Sequence, residues 1–416
     1  MNSYCLTNIK KLYTPTKVGN GHISSIENSA LVVENGNISW FGFSDELPES
    51  YHSFEVQDCS NFILTPGLID AHTHLVFAGE RALEFGERLK GATYQEISAK
   101  GGGIATTVKS TREATKTELL RLSRPRVQRM IEQGITTLEI KSGYGLTTEA
   151  ELKQLEVIRQ LKKDFPIDIS STFLGAHDIP LEYKSDKQKY IDIILNEMLP
   201  EVAKQNLAEA VDVFCETGVY SVEESRTILK KALDLGLKVK VHADELSPLG
   251  GASLAAELNA LSADHLLCIP EKGIDDLVNS ETVAMLLPGT AWFLKMNYAP
   301  ARKMMEWNIP VCVASDFNPG SCTIDQFSQL FLLSTLYMNL TPDELLSAVT
   351  INAAKALGRE KITGLIAPGF RADFVLWKAP SWEHLIYHSS ANHVHEVFAN
   401  GKSIFKNERV MECLYL

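Results

Sequence analysis

The sequence is poor in the features that mark several large protein classes. It holds seven cysteines, Cys5, Cys59, Cys215, Cys268, Cys312, Cys322 and Cys413, an odd number with no Cys-x-x-Cys spacing. A disulfide framework and a zinc-finger reading are both excluded on that ground. No apolar run approaches the roughly 20 residues of a membrane span. The longest candidate, around Leu330 to Met338, is broken by Ser334 and Thr335. The opening Met-Asn-Ser-Tyr-Cys shows no charged segment leading into an apolar one, so no secretory signal is expected and the cytoplasm is the expected compartment. Basic residues are in deficit, 40 Lys and Arg against 52 Asp and Glu, for a net charge of −12. Nucleic acid and anionic membranes both need a basic footprint, so neither is an expected partner. The run Gly101-Gly102-Gly103 lacks the Lys-Ser/Thr of a phosphate loop and reads as a lid or tight turn.

What is present is the composition of an ordinary globular protein, 45% hydrophobic and 22% charged over 416 residues, enough for a large core. Both ends of the chain read as β structure. Asn20-Gly21 and Asn35-Gly36 near the start, and Asn400-Gly401 near the end, carry the positive-φ chemistry of tight hairpins between apolar runs. The middle changes character, with β-branched apolar runs alternating with amphipathic helical stretches. Eight such runs are expected as parallel strands: 62–71, 134–140, 167–174, 211–215, 237–242, 262–266, 282–287 and 309–314. Helices are expected over 148–165, 188–205, 221–235 and 325–338. The expected fold is therefore α/β, a (β/α)8 barrel over residues 61–365. A small β-sandwich domain is expected from both chain ends, residues 1–60 and 366–416.

In such a barrel the reactive groups sit where strands end at their C-terminal side. The first run ends Asp70-Ala71-His72-Thr73-His74. Residues two apart in a strand share a face, so His72 and His74 are expected to point together as ligands of one metal ion. The same spacing at His393 and His395 lies in the terminal β region, near no carboxylate cluster, and is read there as structural. The fifth run ends in His242, with Glu245 three residues on in the following loop. The sixth ends Asp264-His265, and the eighth runs Ser315-Asp316-Phe317-Asn318. Three imidazoles, His72, His74 and His242, with the carboxylate of Asp316, suit one Zn(2+) or Fe(3+) with a position left for water. Glu245, His265 and Asp316 are the expected catalytic groups, by their places at strand ends.

The Pro66-Gly-Leu-Ile-Asp-Ala-His-x-His string, with a histidine on strand five, another on strand six and an aspartate on strand eight, resembles the amidohydrolase superfamily over nearly the whole chain. Members with two metals bridge them with a carboxylated lysine on strand four. Here that strand reads Val-Asp-Val-Phe-Cys and Lys141 lies at the end of strand two, so a single metal is expected. Five further strings, His74 to Arg81, Gly101 to Ile104, Glu139 to Gly145, Phe173 to His177 and Ser315 to Ser321, resemble one branch of that superfamily. Its members open an imidazolone lactam that carries a propionate.

That resemblance implies a small-molecule substrate and a homodimer. It implies that Arg81 forks onto the propionate, joined by Tyr94 and Ser321, that Tyr144 and His177 line the ring pocket, and that Asn318 and Gly320 offer an amide and a backbone group. Glu245 would hold the ring nitrogens and shuttle a proton to the departing one. Asp316 or His265 would take the proton of the attacking water. Two other readings compete. A deaminase of the same superfamily would share the metal shell but needs no arginine for a propionate. A catalytically dead structural relative or a metal-storage protein would not need Glu245 and His265 around an open position.

Overall fold

The computed structural model describes residues 3–91 and 102–408. Two eight-stranded sheets organise the chain. The barrel sheet runs, in chain order, through Leu68–Asp70, Ile135–Lys141, Asp168–Ala176, Ala210–Cys215, Lys238–Ala243, Ser262–His265, Val283–Leu286 and Val311–Val313. All seven neighbouring pairs are parallel and consecutive in the sequence. The ends of this ladder meet through a parallel bridge between Thr73 and Phe317. Two backbone hydrogen bonds flank that bridge, Asp316 N–H to the His72 carbonyl at 3.0 Å and His74 N–H to the Phe317 carbonyl at 2.9 Å. The residues just past the first and last strands are thus locked together by main chain.

The second sheet is assembled from both chain ends. The long hairpin of Tyr4–Pro15 and Ile23–Glu34 continues into Asn37–Phe43, and Ile63–Pro66 joins it to the late strands Phe374–Trp377, Val394–Ala399 and Lys402–Lys406. The sandwich expected of this unit is, by its hydrogen bonds, one continuous path, with the short strand Glu55–Asp58 branching off the first. Its core gathers Leu6, Ile9, Leu12, Leu31, Val33, Leu64, Phe374, Leu376 and Phe398. Two turns are the two-residue hairpins that Asn-Gly demands. Asn35 and Gly36 sit at φ 52° and 84°, and Asn400 and Gly401 at 51° and 70°.

One expected strand is two. The run 62–71 reads as a single barrel strand, but Ile63–Pro66 pairs in the terminal sheet and only Leu68–Asp70 enters the barrel. Pro66 cannot donate to a ladder, and Gly67 packs so tightly that a Cβ there would overlap the Thr136 side chain. The chain changes sheets at that pair. The helix expected over 188–205 also divides, into Lys187–Ile193, a π-helical turn Ile194–Met198 and Leu199–Lys204. Pro200 removes an amide donor from the first turn of Leu199–Lys204, and the widened turn before it absorbs the loss. By contrast Val222–Asp234 starts on a full capping box, Ser221 and Glu224 each satisfying the other's backbone N–H. Among the described residues no helix is long and apolar enough to cross a membrane.

Candidate active site

Strand alternation aims His72 and His74 the same way, and barrel closure brings Asp316 to them. His72 Nε2 and His74 Nε2 are 3.3 Å apart. Each stands 3.5 Å from Asp316 Oδ1. Donor atoms sharing a tetrahedral ion at about 2.1 Å are separated by about 3.4 Å, so this triangle has the size of a metal-ligand face. Two neutral nitrogens that close make a poor hydrogen bond, and His74 Nδ1 is buried with no hydrogen-bond partner. Burial first, then the surrounding positive groups, hold His72 and His74 well below the usual histidine range, so their lone pairs are free for a cation. His72 also belongs to a second group of converging donors with His242 and His265. Both ring nitrogens of His242 and both of His265 are buried without a hydrogen-bond partner. The four expected ligands thus fall into two overlapping groups that share His72, and the residues present fit a metal ion.

A layer of charge beneath orients these rings. Asp264 Oδ2 lies 2.6 Å from His72 Nδ1 and Asp212 Oδ2 lies 2.9 Å from His242 Nδ1. The Asp264 carboxylate at His72 Nδ1 holds the proton there and leaves Nε2 as the free donor atom, while Asp212 meets His242 as a close charge. Behind the carboxylates stand two lysines. Lys141 Nζ donates to Asp212 at 2.7 Å and to Glu139 at 2.8 Å, and Lys240 Nζ donates to Glu139 at 3.1 Å and to the Ala71 carbonyl at 2.8 Å. All five charged side chains are fully buried. Burial alone would raise the Asp212 carboxyl, but His242 and Lys141 outweigh it and keep it well below the usual range. An uncompensated charge in such a place is costly, so each of these groups depends on its neighbours.

Three residues at the strand ends sit on strained backbone. Asp316, His265 and Asp244 adopt φ of 51°, 79° and 50°, in the left-handed region that non-glycine residues seldom occupy. Glu245 Oε2 lies 3.5 Å from His265 Nε2. Burial, and then the charge of Asp316, push the Glu245 carboxyl up to about 8, so it carries a proton at neutral pH. Burial also raises Asp316, to about 6, against the Thr290 hydroxyl that donates to it at 2.5 Å. Glu216, buried at the end of the fourth strand, accepts from the backbone N–H of Leu246 and the hydroxyl of Ser247. It therefore pins the loop that carries Glu245.

The remaining expected residues surround the same cavity of about 1250 Å³. His177 stacks on His74 with ring centroids 5.0 Å apart, and its Nδ1 sits 3.0 Å from the Gly143 carbonyl. Burial holds its pKa down at about 3. Tyr144 is placed by the helix Thr148–Asp164. Gln154 accepts its backbone N–H at 3.0 Å, and Glu151 accepts from Gly143, Gly145 and Leu146. Arg81 lies across Gly320, where a Cβ would overlap Arg81 Nη1, so only glycine leaves room for this guanidinium. Arg81 Nε donates to Glu84 at 2.9 Å, and Glu84 also accepts from the backbone of Gly103 and the hydroxyl of Thr106. Asn318 shapes its own turn. Its Oδ1 accepts from Gly320 and Ser321 N–H at 2.8 and 2.7 Å, and its Nδ2 reaches the Asp316 carbonyl and Ser321 Oγ. Tyr94 lies outside the described residues.

Sequence reasoning missed the supporting layer: Glu139, Lys141, Asp212, Lys240, Asp264, Glu216 and Glu84. A signal for most of it existed. Glu139 and Lys141, Lys240 and His242, are charged or polar residues two apart in otherwise apolar strands, a pattern that puts charge inside the barrel.

A closed parallel barrel with histidines and an aspartate at its strand ends is the architecture of the amidohydrolase class of hydrolases, its donor groups are compatible with a metal ion, and residues 249–404 match the amidohydrolase family. An imidazolonepropionase of Bacillus cereus is 48% identical over 377 residues, covering 90% of this chain and 89% of that protein. One from Bacillus thuringiensis (strain Al Hakam) is 47% identical with the same coverage. The chain belongs to the imidazolonepropionase family. Among solved structures, a mutant atrazine chlorohydrolase from Arthrobacter aurescens TC1, complexed with zinc and atraton, superposes with a TM-score of 0.72. It covers 98% of this chain and 96% of its own at 16% identity, a likeness of fold alone.

Proposed function

We propose that the chain hydrolyses the ring C–N bond of 4-imidazolone-5-propanoate to N-formimidoyl-L-glutamate, the third step of L-histidine degradation. The observation that carries this is one cavity lined together by His74, Asp316, Glu245 and the guanidinium of Arg81, with His72 buried against His74 and Asp316. One Zn(2+) or Fe(3+) per chain, held by His72, His74, His242 and Asp316, would supply Lewis acidity toward the ring carbonyl and acidify a water molecule. Nitrogen and oxygen ligands accept either ion.

The protein's own groups account for the proton traffic. Asp316 or His265 takes the proton that water loses as its oxygen bonds to the carbonyl carbon. His265, whose ring nitrogens have no hydrogen-bond partner, then steadies the negative oxygen. Glu245 passes a proton to the departing ring nitrogen, so the C–N bond breaks to a carboxylate and a neutral amidine. Arg81 forks onto the propionate through the Nη atoms that Glu84 leaves unengaged, with Ser321 and Tyr94 as hydroxyl donors. Tyr144 and His177 pack on the ring, while Asn318 and Gly320 form the wall behind Arg81. A barrel over 61–365 flanked by terminal β segments 1–60 and 366–416, a cytoplasmic setting and a homodimer belong to the same reading. Six unpaired cysteines among the described residues support the setting.

The test is to incubate purified protein with imidazolone propionate and follow the ring's ultraviolet absorbance and the product by mass. Formation of formimidoylglutamate is the expected result. No turnover by metal-replete protein would reject the substrate and turn attention to cyclic amidines and nucleobases.

A further inference from the structure

Below the His72–His74–Asp316 triangle lies another set of ligand-type atoms. Asp212, His242 and Asp264 bring carboxylate and imidazole donors within 4.8 Å of one another, all buried. Two carboxylates and an imidazole are a donor set that a divalent cation takes readily. A cation is already there, and it is covalently attached. Lys141 Nζ stands 2.7 Å from Asp212 Oδ2, 3.8 Å from Asp264 Oδ2 and 2.8 Å from Glu139 Oε1. Lys240 approaches from the other side, 3.6 Å from Asp264 Oδ2 and 3.1 Å from Glu139 Oε1, while the hydrogen bond to Asp212 belongs to Lys141.

We propose that the Lys141 ammonium is a tethered counter-cation that fills the Asp212–His242–Asp264 group and so limits the barrel to one exchangeable metal ion. The proposal rests on the reading that the His72–His74–Asp316 group binds metal. The reasons are geometric and electrostatic. Glu139, Asp212 and Asp264 bring three carboxylates into a fully buried interior, and the two lysines bring two ammoniums. An ammonium is a compact point charge with three donors, which suits a site between three carboxylates. Its tether excludes a second ion by position as well as by charge. The same contact leaves Asp212 Oδ1 free to accept the backbone N–H of His242 and Val213, so the carboxylate serves His242 as an orienting partner.

Without Lys141 the three carboxylates would face a single ammonium, and a divalent cation is the simplest way to restore balance. The test compares the metal content of wild type, Lys141→Met and Lys240→Met after incubation with excess zinc and desalting. The expected result is that Lys141→Met holds one more zinc ion per chain than wild type. Lys240→Met should hold no more than wild type, because Lys141 still occupies the position. A folded Lys141→Met protein with the same content as wild type would overturn the proposal. The increment decides the matter even if wild type binds no zinc, a result that would instead overturn the metal reading of the first group. If Lys141→Met does not fold, crystals of the wild type grown in excess zinc decide through anomalous scattering. A peak among Asp212, His242 and Asp264 would overturn the proposal, and a peak confined to the His72–His74–Asp316 group would support it.

Discussion

The chain spells His-x-His twice in β structure, and the two copies live in opposite worlds. His72 and His74 are buried at the closing seam of the barrel, with their Nε2 atoms 3.3 Å apart and Asp316 beside both. His395 belongs to the terminal sheet, and His393 stands just before its strand Val394–Ala399. His393 Nε2 lies 3.2 Å from the His388 carbonyl, and the His395 ring stacks on Phe62 with centroids 4.1 Å apart. The spacing is the same in both places. Only in the barrel does another strand deliver a carboxylate to the same point, and there Asp264 also meets His72 Nδ1. A ligand set is thus a property of closure, which the sequence separation of 242 residues between His74 and Asp316 (316 minus 74) conceals.

The comparison can be broken from either side. The largest effect is expected of His72→Ala, which should abolish metal content and lower turnover about a thousandfold or more, the loss of several kcal/mol of transition-state stabilisation. His395→Ala should leave both unchanged, as metal analysis and kcat on the two variants would show. Next is Glu245→Gln, expected to retain the metal and lose about 10²- to 10⁴-fold in kcat. Because burial raises Glu245 to about 8, its proton-donating form is lost as pH rises through that value, so kcat/KM of the wild type should fall on the alkaline side. A Glu245→Gln enzyme with full activity, or one that keeps the same alkaline limb, would remove the residue from the proton path.

Smaller effects probe the supports. Asp264→Asn takes the carboxylate from His72 Nδ1, and metal affinity measured by competition with a chelator should weaken about 10- to 100-fold. Gly320→Ala forces the Arg81 guanidinium aside. KM should rise about tenfold with kcat and metal content nearly unchanged, since one charge-assisted contact is displaced. The smallest is the stability of His395→Ala, expected to fall by about 0.5–1.5 kcal/mol in denaturant unfolding through the lost stacking on Phe62.

Much of the fold was legible because parallel barrel strands are continuous apolar runs with reactive residues at their ends, as at His242, His265 and Asp316. The residues whose donor atoms the barrel brings together could be named for the same reason. The switch of sheets at Pro66-Gly67 was hidden, because both halves of 62–71 are equally apolar and periodicity carries no mark of which sheet a strand joins. The π-helical turn before Pro200 was hidden too, since the apolar stripe runs through it. The charged layer of Lys141, Lys240, Asp212 and Glu139 could be seen as residues but not as a network. Each meets its partners across different strands, and only the assembled barrel shows these lysines against these carboxylates.

The most direct test of the account takes one protein sample through chelation and stepwise restoration of zinc or ferric iron. Bound metal and the rate of imidazolone propionate loss are measured at each step. The account predicts a rate that vanishes with the metal and returns in proportion to the ion bound, up to one per chain. An undiminished rate in fully chelated protein would contradict it.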